Sequence, residues 1–450
     1  MMKVAIIGAN HAGLATTRQL LQSKKDVEIT LIDRRKQVGY ISGGTPLLLG
    51  NKIRTYKEFF YSDLDEIKEN VAHFYESSEV IGIDFKEKKI LLRDQLHKKS
   101  TLKYDKLVLA TGSRQQRLGI ENSELAGIQL LKDLDDALFL NQKLDNLSVK
   151  NIAIIGGGYL GIEVAEALSL RNKNVRLFEI QPEILNSHYD KSFSEIAQQH
   201  LAEHGIELHL DEEVTRFEGS GGKVTAVVTT QGYYRADIVV LATGFTPNTD
   251  LGHFHLDHYT NGAYLVDKQQ RTSDPDVYAV GDCATFYSCA TEDQRSDFSV
   301  ANALRSGYIA AQSILEKPLP ATGSVTISAI KIFDLNLFST GITIKRAHLY
   351  NIEAEYVESS KVTLLSMLGK KEEIKLRIIY HKKDRRILGG QICAHSDLTE
   401  MILRLALAIQ NKMTIDDLKY SQTFFYPYFT YLSDPLIDLA KTSDSKKEHN

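Results

Sequence analysis

Two glycine-rich turns contain the residue types that could bind a nucleotide. The second turn has the complete pattern Gly156-x-Gly158-x-x-Gly161. In this pattern Gly156 allows a tight turn, Gly158 lets a diphosphate approach the backbone, and Gly161 lets the following helix pack closely on the sheet. The helix would then present unpaired backbone N–H groups to the diphosphate. This spacing indicates a dinucleotide site.

An acidic residue follows the second turn at the distance that a ribose-binding carboxylate requires. Glu179 ends the run VRLFE, where its carboxylate could accept hydrogen bonds from both hydroxyls of an adenosine ribose. A 2′-phosphate would meet like charge at this position, so we expect NADH to be preferred over NADPH. Arg176 and Lys173 lie nearby in the sequence, and we interpret them as solvated side chains.

The first turn, GANHAG from Gly8 to Gly13, departs from the pattern because Asn10 stands at the middle glycine position. Asp33 still supplies the ribose-binding acid, and the helix after the turn still offers an anion site. A flavin dinucleotide is the better occupant, because Gly281-Asp282 follows a distant apolar strand and offers a carboxylate to ribityl hydroxyls. The alternative interpretation of that pair is an ordinary turn at the end of a strand.

The strands and helices around these residues form an internal repeat. KVAIIGANHAGLATTRQLL and NIAIIGGGYLGIEVAEALS both have the pattern of a strand, a glycine turn and a helix, and each unit later has an ATG strand end. We therefore predict an α/β fold with two doubly wound dinucleotide-binding units, one starting at residue 1 and one near 115. The proline-containing segment at 317–320 is typical of a domain boundary, and after it the sequence is rich in strand patterns.

Length and composition exclude several classes of protein. A chain of 450 residues fits about three domains, and a formal net charge of −4 gives no general attraction to nucleic acid. Three cysteines are too few for a disulfide scaffold and suit a reducing cytoplasm. No run reaches the roughly 18 apolar residues that a membrane span needs. We expect a soluble cytoplasmic protein without a nucleic-acid or membrane partner.

The motifs together resemble the pyridine nucleotide–disulfide oxidoreductase family. The resemblance rests on GANHAG, Asp33, LATGS, GGGYLG, LATGF and VYAVGDCA. His11 and the segments KIFDLNLFSTGIT and ILGGQICAHSDLTEMILRLALAIQNKMTIDDL are similar to the subgroup of NADH oxidases, NADH peroxidases and CoA-disulfide reductases. The likeness implies an FAD domain at 1–114 plus 246–320, an NAD domain at 115–245, and an α+β C-terminal dimerisation domain at 321–450.

The resemblance also implies roles for individual residues. FAD is expected to contact Gly8, His11, Ala12, Gly13, Asp33, Val80, Thr111, Gly112 and Asp282. NADH is expected at the turn residues Gly156, Gly158, Tyr159, Leu160 and Gly161, together with Glu179 and Gly244. Catalytic roles fall to His11, with hydrogen-bonded packing as the alternative, and to Glu163, with an ordinary helix-surface acid as the alternative.

One departure from the subgroup concerns its redox cysteine. The subgroup carries this cysteine in an S-C-G segment, and in the present chain Gly43 stands at that place, inside YISGGTP. No cysteine occurs before Cys283, and the hydroxyl of Ser42 has neither an accessible anion near neutral pH nor sulfenate chemistry. We interpret Cys283, Cys289 and Cys393 as packing residues.

Two other clusters have ordinary interpretations. His253, His255 and His258 do not follow the i, i+4 spacing of helical metal ligands, and we expect no metal site. The aromatic segment 424–429 is typical of a dimer interface, with a substrate-facing role as the alternative. Because the apolar and aromatic runs of the C-terminal domain exceed what one small domain would bury, we expect a homodimer.

These expectations combine into an FAD-dependent NADH oxidoreductase of the NADH oxidase type. NADH would reduce the flavin, and dioxygen would be the default acceptor, with hydrogen peroxide as the product because the cysteine is missing. Another small acceptor, such as a quinone, is a second possibility. The alternative from a different class is a non-turnover flavin and NADH redox sensor that acts through a protein partner.

Overall fold

The computed structural model describes residues 1–450 except 24, 54, 117, 318–322, 366–370, 427, 429, 431 and 445–450. The strands are β1 Met2–Ile7, β2 Val27–Ile32, β3 His73–Tyr75, β4 Ser78–Asp84, β5 Lys89–Asp94, β6 Lys99–Lys103, β7 Lys106–Leu109, β8 Ser113–Gln115, β9 Ile128–Leu130, β10 Asn151–Ile155, β11 Asn174–Glu179, β12 Glu207–Leu210, β13 Val214–Ser220, β14 Lys223–Thr229, β15 Tyr233–Arg235, β16 Ile238–Leu241, β17 Phe245–Pro247, β18 Val277–Ala279, β19 Phe286–Ser288, β20 Asp293–Arg295, β21 Ile327–Ile332, β22 Leu335–Gly341, β23 Ala354–Leu365, β24 Lys371–His381 and β25 Ile387–Ala394. The α-helices are α1 His11–Leu21, α2 Thr45–Leu49, α3 Leu64–Asn70, α4 Leu134–Leu144, α5 Tyr159–Ser169, α6 Lys191–Glu203, α7 Val300–Ile314, α8 Ile344–Leu349, α9 Thr399–Gln410, α10 Ile415–Lys419 and α11 Pro435–Lys441.

Two five-stranded parallel sheets form the framework of the molecule. Their strand orders are β18-β7-β1-β2-β3 and β12-β11-β10-β16-β9. The central strands β1 and β10 are short apolar runs, and Ile6 and Ile154 at their centres are fully buried. Parallel neighbours need a crossover connection, which α1 supplies between β1 and β2 and α5 supplies between β10 and β11. The predicted repeat of two doubly wound α/β units is therefore confirmed.

A short antiparallel ribbon of β8 and β17 lies where the chain passes from the first unit to the second and back. The predicted boundaries at 114/115 and 245/246 fall in this ribbon. The strand β18, far along the chain, returns to pair with β7 of the first sheet. The predicted boundary at 320/321 lies outside the described residues.

The C-terminal part is a five-stranded antiparallel sheet in the order β21-β22-β25-β24-β23. The helix α9 packs on it through a buried stripe that includes Ile402, Leu405 and Ile409. Leu403 and Leu407 lie on the opposite, exposed side of α9. In the part of the chain that the structure describes, no helix has the length and apolar character needed to cross a membrane.

Candidate functional site

The first glycine turn brings the N-terminus of α1 against the ends of the central strands. Gly8 has φ 111°, and a Cβ atom there would lie 2.1 Å from the carbonyl oxygen of Ala110. A Cβ atom on Gly13 would lie 1.8 Å from the carbonyl oxygen of Gly8. Since no side chain fits at either place, the two glycines set both the turn and the close approach of the helix.

The second turn repeats this geometry. Gly156 has φ 113°, and a Cβ atom there would lie 2.4 Å from the carbonyl oxygen of Ala242. A Cβ atom on Gly161 would lie 2.0 Å from the carbonyl oxygen of Gly156. Ala110 and Ala242 are the alanines of the two ATG strand ends, so the sequence repeat is also a repeat of backbone contacts.

Each turn is tied to the acidic residue that follows the second strand of its unit. Asp33 accepts a hydrogen bond at Oδ2 from the backbone N–H of Ala9, over 2.8 Å. Glu179 accepts one at Oε2 from the backbone N–H of Gly157, over 2.7 Å. These bonds hold the two carboxylates at the strand ends, and each carboxylate oxygen keeps further lone pairs for a ribose hydroxyl.

The cations near Glu179 are engaged elsewhere. The guanidinium Nε of Arg176 donates to Glu207 over 2.8 Å. The ammonium of Lys173 donates to the carbonyl oxygen of Val149 over 2.8 Å. Neither bond is directed at Glu179, so the carboxylate determines the local charge at the end of β11.

A cavity of about 310 Å³ opens at the carboxyl ends of the first sheet. Its lining includes eight of the nine residues predicted for the flavin, namely Gly8, His11, Ala12, Asp33, Val80, Thr111, Gly112 and Asp282. Gly13 does not line the cavity, because it lies one layer behind, against the backbone of Gly8. The structure thus brings together residues from both ends of the first unit.

His11 is the first residue of α1, and its two ring nitrogens have different surroundings. Nδ1 lies 2.8 Å from the hydroxyl of Tyr61. Nε2 is buried and has no hydrogen-bond partner among the described residues. Burial lowers the pKa of His11, assisted by the charges of Lys132 and Arg18 and opposed by that of Asp282. The imidazole is therefore neutral near pH 7 and has one ring nitrogen without a partner.

Sequence reasoning missed a polar chain across the cavity wall. The ammonium of Lys132 donates to the hydroxyl of Ser113 over 2.7 Å, and that hydroxyl donates to Oδ2 of Asp282 over 2.7 Å. The ammonium also lies 4.4 Å from the ring centroid of Phe245. Burial lowers the pKa of Lys132, against the opposing charges of Asp282 and Asp133. The only sequence signal was local: Ser113 directly follows the first ATG motif.

The residues predicted for NADH, and Glu163, do not line this cavity. The hydroxyl of Tyr159 donates to the hydroxyl of Tyr189 over 3.3 Å, and its ring meets that of His188 edge-on at 5.0 Å. Burial raises the pKa of Tyr159. Burial, with the nearby charge of Glu166, raises the pKa of Glu163 to about 7. Glu163 can therefore change its protonation state near neutral pH.

No described cysteine offers a reactive thiolate. The Sγ of Cys283 donates to the carbonyl oxygens of Leu109 and Val280, and burial raises its pKa. Burial likewise raises the pKa values of Cys289 and of Cys393, the latter to about 12. These thiols remain protonated near neutral pH, as expected of packing residues.

The turn that carries Gly43 lies beside the cavity. Ser42–Gly44 forms a 3₁₀ turn, and Ser42 lines the cavity together with His11. A Cβ atom at Gly43 would meet no other atom within 4 Å. The backbone therefore leaves room for a side chain at this position, and the sequence does not use it.

The three histidines at 253–258 and the described residues of the aromatic segment 424–429 lie outside the cavity lining. His255 pairs with Asp274 over 3.0 Å and stacks on Phe85, while the rings of His253 and His258 lie 5.4 Å apart. Among the described residues these three histidines do not converge on one point. In the aromatic segment Phe424, Phe425, Tyr426 and Tyr428 are exposed, whereas 427 and 429 lie outside the described residues.

The cavity suits a flavin dinucleotide on observations of its own. The N-terminus of α1 has no side-chain cap, so its N–H groups are available to a diphosphate. The Oδ1 atom of Asn10, like Nε2 of His11, is buried without a hydrogen-bond partner in the described structure. Gly112, at φ 67°, faces open space where a ligand can approach the backbone. These unpartnered polar groups would be satisfied by a ligand that carries several hydrogen-bond donors and acceptors, as a flavin dinucleotide does.

Comparison with known proteins agrees with this geometry. The family model described as pyridine nucleotide-disulphide oxidoreductase matches residues 2–307, and the model of that family's dimerisation domain matches residues 327–432. An NADH oxidase of Lactococcus lactis subsp. cremoris is 38% identical over 431 residues, which are 95% of this chain and 97% of that protein. An NADH oxidase of Streptococcus pyogenes is 34% identical, over 95% of this chain and 96% of its own length.

The fold is also that of a solved relative. The water-forming NADH oxidase from Lactobacillus brevis, bound to NADH, superposes with a TM-score of 0.95 at 29% identity and covers 100% of both chains. On the family matches and these relatives, the chain belongs to the pyridine nucleotide-disulphide oxidoreductase family and is an FAD-dependent, NADH-oxidising flavoenzyme with a C-terminal dimerisation domain.

Proposed function

We propose that this flavoenzyme passes the electrons of NADH to dioxygen and releases hydrogen peroxide. The balanced reaction is NADH + H⁺ + O₂ → NAD⁺ + H₂O₂. The observation that carries the proposal is the combination of an unpartnered His11 nitrogen and the Lys132 ammonium at a cavity that has no thiol among its lining residues.

The absence of a thiol supports hydrogen peroxide rather than water as the product. Water would come from a second two-electron step, in which a thiolate attacks peroxide, releases water and becomes a sulfenate, which a second NADH then reduces back to the thiolate. Gly43 has no side chain, and the hydroxyl of Ser42 is not a nucleophile of that kind. Since Cys283 is buried with a raised pKa, it does not supply the missing thiolate.

The residues that would hold the cofactors follow from the two turns. FAD would lie in the cavity, with its diphosphate at the N-terminus of α1 and polar contacts to Asp33 and Asp282. NADH would bind at the second turn, with its adenosine ribose at Glu179. When bound, FAD supplies the chemistry of accepting a hydride from NADH and giving two electrons to the acceptor.

The protein itself contributes a neutral hydrogen-bond donor, His11, and the positive charge of Lys132. A phenol that donates to Nδ1 of His11 leaves the ring proton on Nε2, the nitrogen without a partner. Nε2 can then donate to a negative charge that develops in the cavity. The Lys132 ammonium, held by Ser113 and Phe245, stabilises the same charge in a partly desolvated place.

The experiment is oxygen uptake by the FAD-loaded protein with NADH, with and without catalase. If peroxide is the product, catalase returns about half of the oxygen consumed. The Lactobacillus brevis relative is named water-forming. If the present chain also makes water, catalase returns no oxygen and no peroxide is detected, and the proposal is wrong.

A substitution tests the physical reason. Gly43→Cys places a thiol where the backbone leaves open space. We expect this variant to release less hydrogen peroxide per NADH. The matched control Gly43→Ser should still release about one hydrogen peroxide per NADH. Steady-state turnover with benzoquinone and ferricyanide completes the test. A kcat/KM at least tenfold higher with benzoquinone than with oxygen would identify a quinone as the acceptor instead.

A further inference from the structure

We propose that His200, His204 and Asp334 bind a divalent transition-metal ion of the zinc type. His200 lies in the last turn of α6, and His204 caps the same helix four residues later. Asp334 lies in the turn between β21 and β22. One candidate ligand atom from each residue lies within 4.8 Å of the other two. None of the three lines the flavin cavity.

The donor set suits such an ion. Two imidazole nitrogens and one carboxylate oxygen are borderline ligands that zinc accepts at about 2.0–2.2 Å. Imidazoles at i and i+4 project from the same side of a helix, so α6 presents both rings together. Calcium and magnesium prefer oxygen ligands, and the two imidazoles therefore select against them.

The tautomer and orientation of the His204 ring suit binding of a metal ion. Its Nδ1 lies 2.8 Å from the carbonyl oxygen of His200, and a carbonyl can only accept, so Nδ1 donates. The neutral ring then keeps a lone pair on Nε2, which is the form that binds a metal. Stacking on Phe333, with the ring centroids 3.9 Å apart, fixes the orientation of the ring.

The ring of His200 lacks a proper partner. Its Nε2 is buried and lies 2.9 Å from Oδ1 of Asp334, yet the two atoms are not aligned for a hydrogen bond. A cation bound by both atoms would satisfy the nitrogen and the carboxylate at once. The other carboxylate oxygen lies 3.3 Å from Nδ1 of His395, which positions Asp334 toward the pair on α6.

The site would join two parts of the fold. The helix α6 leads into β12 of the second parallel sheet, whereas Asp334 belongs to a turn of the C-terminal sheet. An ion held by both would stabilise their packing, because a ligand that binds only the folded chain shifts unfolding by mass action. The described protein ligands number three, which leaves a fourth position for water.

The test uses tag-free, FAD-loaded protein that has been treated with EDTA and is then titrated calorimetrically with zinc chloride. We expect one zinc ion per chain. His204→Gln and Asp334→Asn should each weaken binding at least tenfold, and the control His253→Gln, in the other histidine cluster, should bind like the unchanged protein. Both ligand variants change exposed side chains, and their flavin content reports whether they are folded.

Three results would overturn the site: no zinc uptake, equal uptake by the ligand variants, or a loss in His253→Gln. A crystal soaked in zinc gives a second, independent measurement. Anomalous scattering at the zinc edge should place the ion among the three side chains. A peak at any other place, or no peak, means that His200 and Asp334 form only an ion pair and bind no metal.

Discussion

The phenol of Tyr61 holds the imidazole of His11 from the side away from its unpartnered nitrogen. The hydroxyl lies 2.8 Å from Nδ1, and the two rings meet edge-on with centroids 5.7 Å apart. Arg18 lies over the tyrosine ring at 4.5 Å and also pairs with Asp63. Burial raises the pKa of Tyr61, so the phenol keeps its proton near neutral pH. The side chains of Tyr61, Arg18 and Asp63 thus hold His11 from its Nδ1 side, and Nε2 has no partner among the described residues.

Tyr61→Phe tests this relationship. The substitution keeps the ring on which Arg18 lies and removes only the hydroxyl bonded to Nδ1. We expect the reoxidation of the reduced enzyme by oxygen to slow roughly tenfold, because a positioned proton donor contributes substantially to such steps. The reduction by NADH under anaerobic conditions should be unchanged. Stopped-flow absorbance of the flavin measures both steps.

The control for this variant is Tyr56→Phe, in the 3₁₀ turn that precedes Tyr61. It should leave both rates unchanged. An equal slowing of reduction and reoxidation in Tyr61→Phe would contradict a role for Tyr61 through His11 and would indicate a general disturbance of the cavity.

Glu179→Gln tests the origin of the nucleotide preference. We expect the unchanged protein to show a higher kcat/KM with NADH than with NADPH, since the carboxylate repels a 2′-phosphate. The glutamine retains an oxygen for the N–H of Gly157 but has no charge, so the ratio of the two kcat/KM values should fall at least tenfold.

Glu207→Gln is the matched control, because it removes a carboxylate that pairs with Arg176 instead. That variant should keep the ratio of the unchanged protein. Equal kcat/KM values for NADH and NADPH in the unchanged protein would show that Glu179 does not face the ribose.

Glu163 makes the stability of the fold depend on pH. Folding raises the pKa of its carboxyl from 4.5 to about 7. Between these values the folded chain binds more protons than the unfolded chain, so stability falls as pH rises through this window and stays lower above it. The shift corresponds to an upper bound on the order of 3 kcal/mol.

We therefore expect Glu163→Gln to melt several degrees above the unchanged protein at pH 8.5, and at the same temperature at pH 4. Thermal unfolding followed by flavin fluorescence, at one protein concentration, measures the difference. Glu69→Gln, which changes an exposed side chain, is the control and should show no pH-dependent difference. A variant that melts lower at pH 8.5 would mean that the ionised carboxylate stabilises the fold.

The parts of the site that lie close in sequence were predictable, and the parts assembled by packing were not. Gly8 and Gly156 follow apolar strands at fixed spacing, and each turn alone restricts the backbone to glycine. Asp33 and Glu179 follow at the end of the next strand. Asp282 was inferred from the Gly-Asp pair after a distant apolar strand and from the family resemblance, because no local rule relates residues so far apart.

Lys132, Ser113 and Tyr61 could not be found in this way. Lys132 enters the cavity wall from the connection between β9 and α4, and its neighbours in sequence give no periodic signal. Tyr61 lies in a loop whose position depends on the packing of α1 against the segment before α3. The spacing of His200 and His204 is visible in the sequence, but Asp334 joins them only through the packing of α6 against β21 and β22.

The exposed surface of the C-terminal part predicts a homodimer. Leu403 and Leu407 are 48% and 61% exposed, and they lie one turn apart on α9. Phe424 and Tyr428 are 67% and 70% exposed in the aromatic segment of the same domain. Exposed apolar side chains of this kind are typical of an interaction surface, and the match to the family's dimerisation domain covers all four residues. We expect light scattering at micromolar concentration to give twice the chain mass of 50.6 kDa.

The double substitution Leu403→Glu/Leu407→Glu tests whether α9 forms the interface. Two charges on each copy would have to be desolvated on association. Around a two-fold axis they would also be repelled by the like charges of the other copy. The variant should therefore be monomeric at the same concentration while its flavin content stays near one per chain. Leu147→Glu, at an exposed position outside the C-terminal part, is the control and should remain dimeric. A dimeric double variant would move the interface to the aromatic segment, and a monomeric unchanged protein would contradict the homodimer itself.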